Sequence, residues 1–132
     1  MRSSPAIAYR DQAVHTADGP NLLLMLCERL AADISRAEIA LMTNDFKMGD
    51  ENFIHAQAIL RLLRASLDPT GFEGGNELAA VYAYLEQQLV KANLEKNIEL
   101  VRQCAALFDP IHQAWRAAVN RNAGSDARSH LE

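Results

Sequence analysis

The sequence predicts an all-α protein, an antiparallel four-helix bundle with an N-terminal arm. Three observations predict it. Apolar residues recur at three- and four-residue spacing through four stretches, which puts each set on one helical face. Short segments rich in Gly, Pro, Asn and Asp separate those stretches, and helices joined by short connections pack as antiparallel neighbours. Aromatics make up only 6% of the chain while Ala and Leu are plentiful, a balance that favours helix over a β-sandwich. A chain of 132 residues suffices for one core and not for two. The expected division is an arm over 1–17, the bundle over 18–120 and a disordered, polar tail over 121–132.

Helix 1 is expected over 18–44: Asp18 offers a capping oxygen, and Pro20 falls in the first turn, where its missing N–H costs nothing. Its inward stripe is Leu23, Leu26, Leu30, Ile34, Ala37 and Leu41, with Glu28, Arg29, Asp33 and Arg36 turned elsewhere. Asn44 to Asp50, containing Gly49, reads as the connection. Helix 2 is expected over 50–67, capped by Asp50, with Phe53, Ala56, Leu60, Leu63 and Leu67 inward. Pro69, Gly71, Gly74 and Gly75 end it. Helix 3, capped by Asn76, spans 76–94 with Leu78, Tyr82, Leu85, Leu89 and Ala92 on one face. Helix 4 spans 97–120 with Ile98, Val101, Ala105, Phe108, His112 and Trp115 inward, and Pro110 inside it should kink it. No internal repeat, sustained heptad or low-complexity segment competes with this reading.

Composition narrows the function. A formal charge of −4 and the lack of a basic run argue against nucleic acid as partner. Uninterrupted apolar runs such as Leu22 to Cys27 are far short of a membrane span, so membrane insertion is not expected. Met1-Arg2-Ser3-Ser4-Pro5 has no secretory core, and a cytoplasmic address follows by default. Cys27 and Cys104 lie on apolar stripes with no second Cys at metal or redox spacing, and read as small core hydrophobes.

Catalysis needs converging polar groups. His55 follows Glu51 by one turn and His112 follows Asp109 by three residues, a superficial likeness to the paired Glu-x-x-His ligands of di-iron bundles. Such a site takes a carboxylate from every helix and the full motif twice, which this chain does not supply. Phosphate loops, Gly-x-Ser-x-Gly and His-Glu-x-x-His are absent. The reading is therefore a protein that is not an enzyme, with no catalytic residues, no metal and no cofactor.

The informative excess is apolar. Helix 2 carries a second stripe, Ile54, Ala58, Leu62 and Ala65, which at about 100° per residue points nearly opposite to the first. Helix 4 carries another, Leu100, Cys104, Leu107, Ile111, Ala114 and Ala118. Either both helices are central and buried on two sides, or part of this surface is an open groove for a partner helix or extended peptide. In the second case Ile54, Ala58, Leu62, Leu107 and Ile111 are the candidate contacts. Tyr84 points off the core stripe, where its ring packs at an edge while its hydroxyl reaches water or a partner.

Taken in order, Tyr9, Val14-His15-Thr16-Ala17-Asp18, Leu22-Leu23-Leu24-Met25-Leu26, Ala56-Gln57-Ala58-Ile59, Ser66-Leu67-Asp68, Gly75, Val81-Tyr82-Ala83-Tyr84-Leu85, Ala92-Asn93 and Trp115-Arg116 resemble the flagellin export chaperones, the FliS family, over about residues 7 to 118. The resemblance implies a cytoplasmic, non-enzymatic bundle that binds the C-terminal region of flagellin, prevents its premature polymerisation and assists its delivery to the flagellar export apparatus. It further implies a client that wraps around the bundle, and an N-terminal arm that covers part of the apolar surface when the client is absent. Tyr9, Val14, Thr16 and Ala17 match the family's arm, and Ala92-Asn93 match its helix 3 terminus; Tyr9, Val14 and Asn93 join the candidate flagellin contacts on that ground. The chain departs from the pattern at Cys27, where tyrosine is common, at Gly19-Pro20 in place of Ser-Pro, and at Pro110. The alternative reading is a structural or regulatory bundle whose surplus stripes bury a homodimer interface, without a secretion client.

Overall fold

The computed structural model describes residues 19–67 and 75–131, with side chains over 21–67 and 75–121. The expected arm with Tyr9 and Val14, the Asp18 cap and most of the loop between helices 2 and 3 lie outside the described residues. Four helices follow in order: α1 Gly19–Met42, α2 Phe46–Ala65, α3 Gly75–Glu95 and α4 Ile98–Leu131. There is no strand among the described residues. The packing pairs are α1–α2, α2–α3, α3–α4 and α1–α4, the perimeter of an antiparallel four-helix bundle.

The inward stripes became the core. Leu30, Ile34, Phe53, Leu60, Leu63, Tyr82, Leu85, Leu89, Val101 and Phe108 are all fully buried and pack as one cluster. Burial of this kind supplies most of a small bundle's stability, at roughly 25 cal/mol per Å² of apolar surface. Two positions differ from expectation. Ala105, read as inward, is exposed, because its place on the wheel falls to the side of the Val101–Phe108 line and a single methyl does not pull it in. Asp33, read as outward, is buried at 1% exposure.

Helix boundaries moved where local capping outweighed the expected breaker. α2 starts before Asp50: the Asp45 side chain accepts from the Met48 N–H at 3.2 Å and caps it. The connection is only Thr43 to Asp45, with Asn44 in the left-handed region at φ 56. Gly49 therefore sits inside α2, buried against α1, where a Cβ would meet the Ala40 Cβ at 3.6 Å. That is ordinary contact. Gly49→Ala should thus raise stability by about 0.5–1 kcal/mol, since a helical Gly costs backbone entropy; a denaturant midpoint that falls instead would mean the helices are pressed more tightly than this.

The turn between α3 and α4 is Lys96-Asn97. Lys96 adopts φ 53, and the Asn97 side chain accepts from the Leu100 N–H at 3.1 Å, capping α4. Lys96 Nζ donates to Asn93 Oδ1 at 3.0 Å, reaches Asp50 at 3.5 Å and lies 5.2 Å from the Phe46 ring centroid. Asn76, expected as the cap of α3, is instead its second residue. α4 continues through Pro110 and on to Leu131. The helix expected to end near Asn120 runs on because no Pro follows Pro110, and Ala123, Ala127 and the arginines of this segment all propagate helix.

Cys27 and Cys104 are free and buried, as expected of core hydrophobes. Burial, with Glu28's charge adding to it, pushes the Cys27 thiol from 9.0 up to about 12. Burial alone pushes Cys104 from 9.0 to about 11. Burial also raises Tyr82 from 10.0 to about 12, although the hydrogen bond from Trp115 acts the other way. All three folded-state values lie above the unfolded ones, so the folded protein holds these protons more tightly. Their contribution is complete below about pH 9 and is lost as pH rises towards 11 to 12. Urea unfolding should therefore show stability falling steadily above about pH 9; a flat profile to pH 10.5 would contradict this burial.

Candidate functional site

The two histidines weighed for chemistry, His55 and His112, are engaged in holding helices together. Asp33 of α1 is the hub of one cluster: Arg29 Nε donates to its Oδ1 at 3.2 Å, Arg36 Nη1 to the same oxygen at 3.4 Å, and His55 Nδ1 of α2 meets its Oδ2. The carboxylate is buried, while its three partners are about half exposed. This closes the α1–α2 seam. The i−4 and i+3 arginines around Asp33 were the available signal for it, since a lone acid between two such partners can turn inward already paired.

His112, the other histidine considered, is buried on α4 with its Nε2 3.5 Å from Glu28 of α1 and 3.3 Å from Arg116. Arg116 also donates to Glu28 at 3.2 Å, so the α1–α4 seam carries its own polar stitch. Across α3–α4, Trp115 Nε1 donates to the Tyr82 hydroxyl at 3.3 Å. Among the described residues no group of three or more His, Cys, Asp and Glu is placed to hold a metal ion. No helix there is long and apolar enough to cross a membrane.

The surplus apolar stripes have different fates. Ile54 and Leu62 are 60% and 54% exposed, and Ala58 and Ala65 beside them are exposed too, so the second stripe of α2 faces outward with nothing over it among the described residues. The second stripe of α4 splits. Cys104 is buried, Leu100 and Ile111 are half-buried against the core, and only Leu107 is substantially exposed among its large side chains. Tyr84 is exposed, and its neighbour Tyr82 reaches Trp115, which places this part of α3 beside α4.

These residues do not converge on one groove. α2 and α4 are diagonal in the bundle, each packing on α1 and α3. Ile54, Ala58 and Leu62 therefore lie on one helix, and Leu107 and Ile111 on its diagonal opposite, with Tyr84 on α3, which packs against both. Periodicity tells which face a residue occupies and is silent on which helix lies beside it. Asn93 is half-buried, with its side chain engaged by Lys96 in the α3–α4 turn.

Fold and surface together define a class: an antiparallel helical bundle, its polar clusters engaged between helices, with an outward apolar stripe on α2. The chain matches the family model described as Flagellar protein FliS over residues 2–122. It belongs to the FliS family. It is 28% identical over 116 residues to the flagellar secretion chaperone FliS of Bacillus subtilis (strain 168), covering 88% of this chain and 86% of that protein. With the flagellar secretion chaperone FliS of Escherichia coli (strain K12) it shares 28% identity over 111 residues, 83% of this chain and 82% of that one. With that of Salmonella typhimurium (strain LT2) the identity is 26% over 120 residues, 89% of each.

Proposed function

We propose that this protein is a flagellin-specific export chaperone, a non-enzymatic cytoplasmic bundle that binds the C-terminal region of flagellin, prevents premature polymerisation and passes the client to the export apparatus. The observation that carries this reading is the exposed stripe of Ile54, Ala58 and Leu62, which no described residue covers, in a chain of the FliS family. The curated relatives are named as flagellar secretion chaperones. An unfolded export client exposes apolar side chains, and each Å² it buries against such a stripe is worth roughly 25 cal/mol before the cost of ordering it.

Candidate contacts on two diagonal helices ask for a client that spans both. A segment that touches the α2 stripe and also Leu107 and Tyr84 has to pass around α3, which fits an extended or broken chain better than one straight helix. Light scattering of seeded flagellin assembly tests the activity. Equimolar protein should suppress filament growth, and unchanged growth would reject the reading.

The arm is proposed to compete with the client. Ile7, Tyr9 and Val14 are too apolar to favour full exposure. If they dock on the bundle in the free protein, their docking free energy is subtracted from the client's affinity. Deleting residues 1–15 should then tighten flagellin binding and promote self-association through the exposed stripe. Weaker binding by a deletion that stays folded and monomeric would mean that the arm touches the client itself.

A further inference from the structure

The outward stripe of α2 runs between two arginine-rich flanks. On the α1 side Arg29 and Arg36 share the single carboxylate of Asp33. On the α3 side Arg61 reaches Glu86 at 3.0 Å and Arg64 reaches the same carboxylate at 3.3 Å. Each flank thus carries two guanidinium groups for one carboxylate, a local surplus of positive charge on a chain whose net charge is −4. Depth sharpens the asymmetry. The arginine side chains are 40–57% exposed, whereas Asp33 and Glu86 are 1% and 18% exposed, so the carboxylates lie beneath and the guanidinium groups face out.

Resting on the chaperone reading above, we infer that this face docks an amphipathic helical segment that has one apolar stripe and acidic residues on both sides of it. Ile54, Ala58, Leu62 and Ala65 recur over three turns at i, i+4, i+8 and i+11, a stripe long enough for a partner helix to lay an i, i+3, i+4, i+7 set of anchors along it. A guanidinium already bound to one carboxylate through part of its fork keeps further N–H donors for a second, and bidentate pairing is what arginine does best. Asp50 and Glu51, both exposed about one turn before Ile54, make the N-terminal end of the stripe acidic, so the partner's acidic residues belong along Ala58 to Ala65. An anionic membrane shares the sign but not the shape. The stripe is narrow, and the acidic balance of the whole chain opposes approach to such a surface.

The test uses the full chain and two synthetic helical peptides that share a leucine stripe and differ only at the flanking positions, Glu in one and Gln in the other. At low salt the Glu peptide should bind about 5- to 10-fold more tightly, the sum of a few exposed ion pairs. High salt should erase most of the difference. Arg36→Gln with Arg61→Gln should also erase it while leaving the Gln peptide's affinity unchanged. Leu62→Asp should remove binding of both peptides, and Ile54→Asp serves as the second stripe variant if circular dichroism shows the first to be unfolded. Equal affinities for the two peptides would overturn the inference, as would binding that survives both stripe substitutions. Co-sedimentation with phosphatidylglycerol vesicles in place of a peptide preference would overturn it in favour of a membrane surface. Titration with the flagellin C-terminal segment separates the two levels: flagellin binding without a Glu preference rejects the charge rule alone, and a Glu preference without flagellin binding rejects the flagellin reading alone.

Discussion

Leu62→Asp is expected to weaken binding of the flagellin C-terminal segment by more than about 100-fold, because a carboxylate placed under an apolar client has to be desolvated with no partner. The same substitution should cost the free protein no more than about 0.5 kcal/mol, since Leu62 is 54% exposed and touches water already. The contrast between the two effects is the point. Calorimetric titration reads the first and urea unfolding the second. A large loss of stability would return Leu62 to the core, and undiminished binding would move the client off α2.

Phe53→Ala is expected to do the reverse. Phe53 is fully buried in the cluster shared by all four helices, and it lies on the inward face of the same helix that carries Ile54 outward. Truncating it removes the ring's burial and leaves a cavity, at about 3–5 kcal/mol. Small domains hold only about 5–15 kcal/mol in total, so the variant should sit near the edge of folding at growth temperature. The urea midpoint should drop with little change in slope. A loss below about 1 kcal/mol would mean that the core refills around the gap, which close-packed interiors seldom manage.

Neighbouring residues with opposite fates explain what was legible. Phe53 and Ile54 differ by about 100° on the helix, so spacing separated the two faces, but whether the second was buried or open stayed undecided until the structure left Ile54 60% exposed. The stripes of α1, α2 and α3 were readable for the same reason. Gly49 misled, because the sequence signal of a breaker and of a close helix contact is the same residue, and only its distance from Ala40 tells them apart. Asp33 misled because charge normally means surface, and its burial depends on Arg29, Arg36 and His55 closing around it from two helices. His55 lies far along the chain from Asp33, so the α2 side of that cluster is invisible to local spacing. The expected single groove joined α2 to α4, and those helices lie diagonally opposite in the bundle.

Asn93 teaches a further point about motifs. Its match to the family pattern suggested a client contact, yet its side chain accepts from Lys96 in a turn that needs help, since Lys96 holds a left-handed conformation. That bond is exposed and leaves Asn93 among the proposed client contacts.

The measurement that bears most directly on the central claim is sedimentation equilibrium of the purified chain, alone and with the C-terminal segment of its host's flagellin. The account predicts a monomer alone and a one-to-one complex with the segment, lost in Leu62→Asp. A stable homodimer that the flagellin segment neither joins nor dissociates would contradict it, and would leave the outward stripe of α2 as a self-association surface.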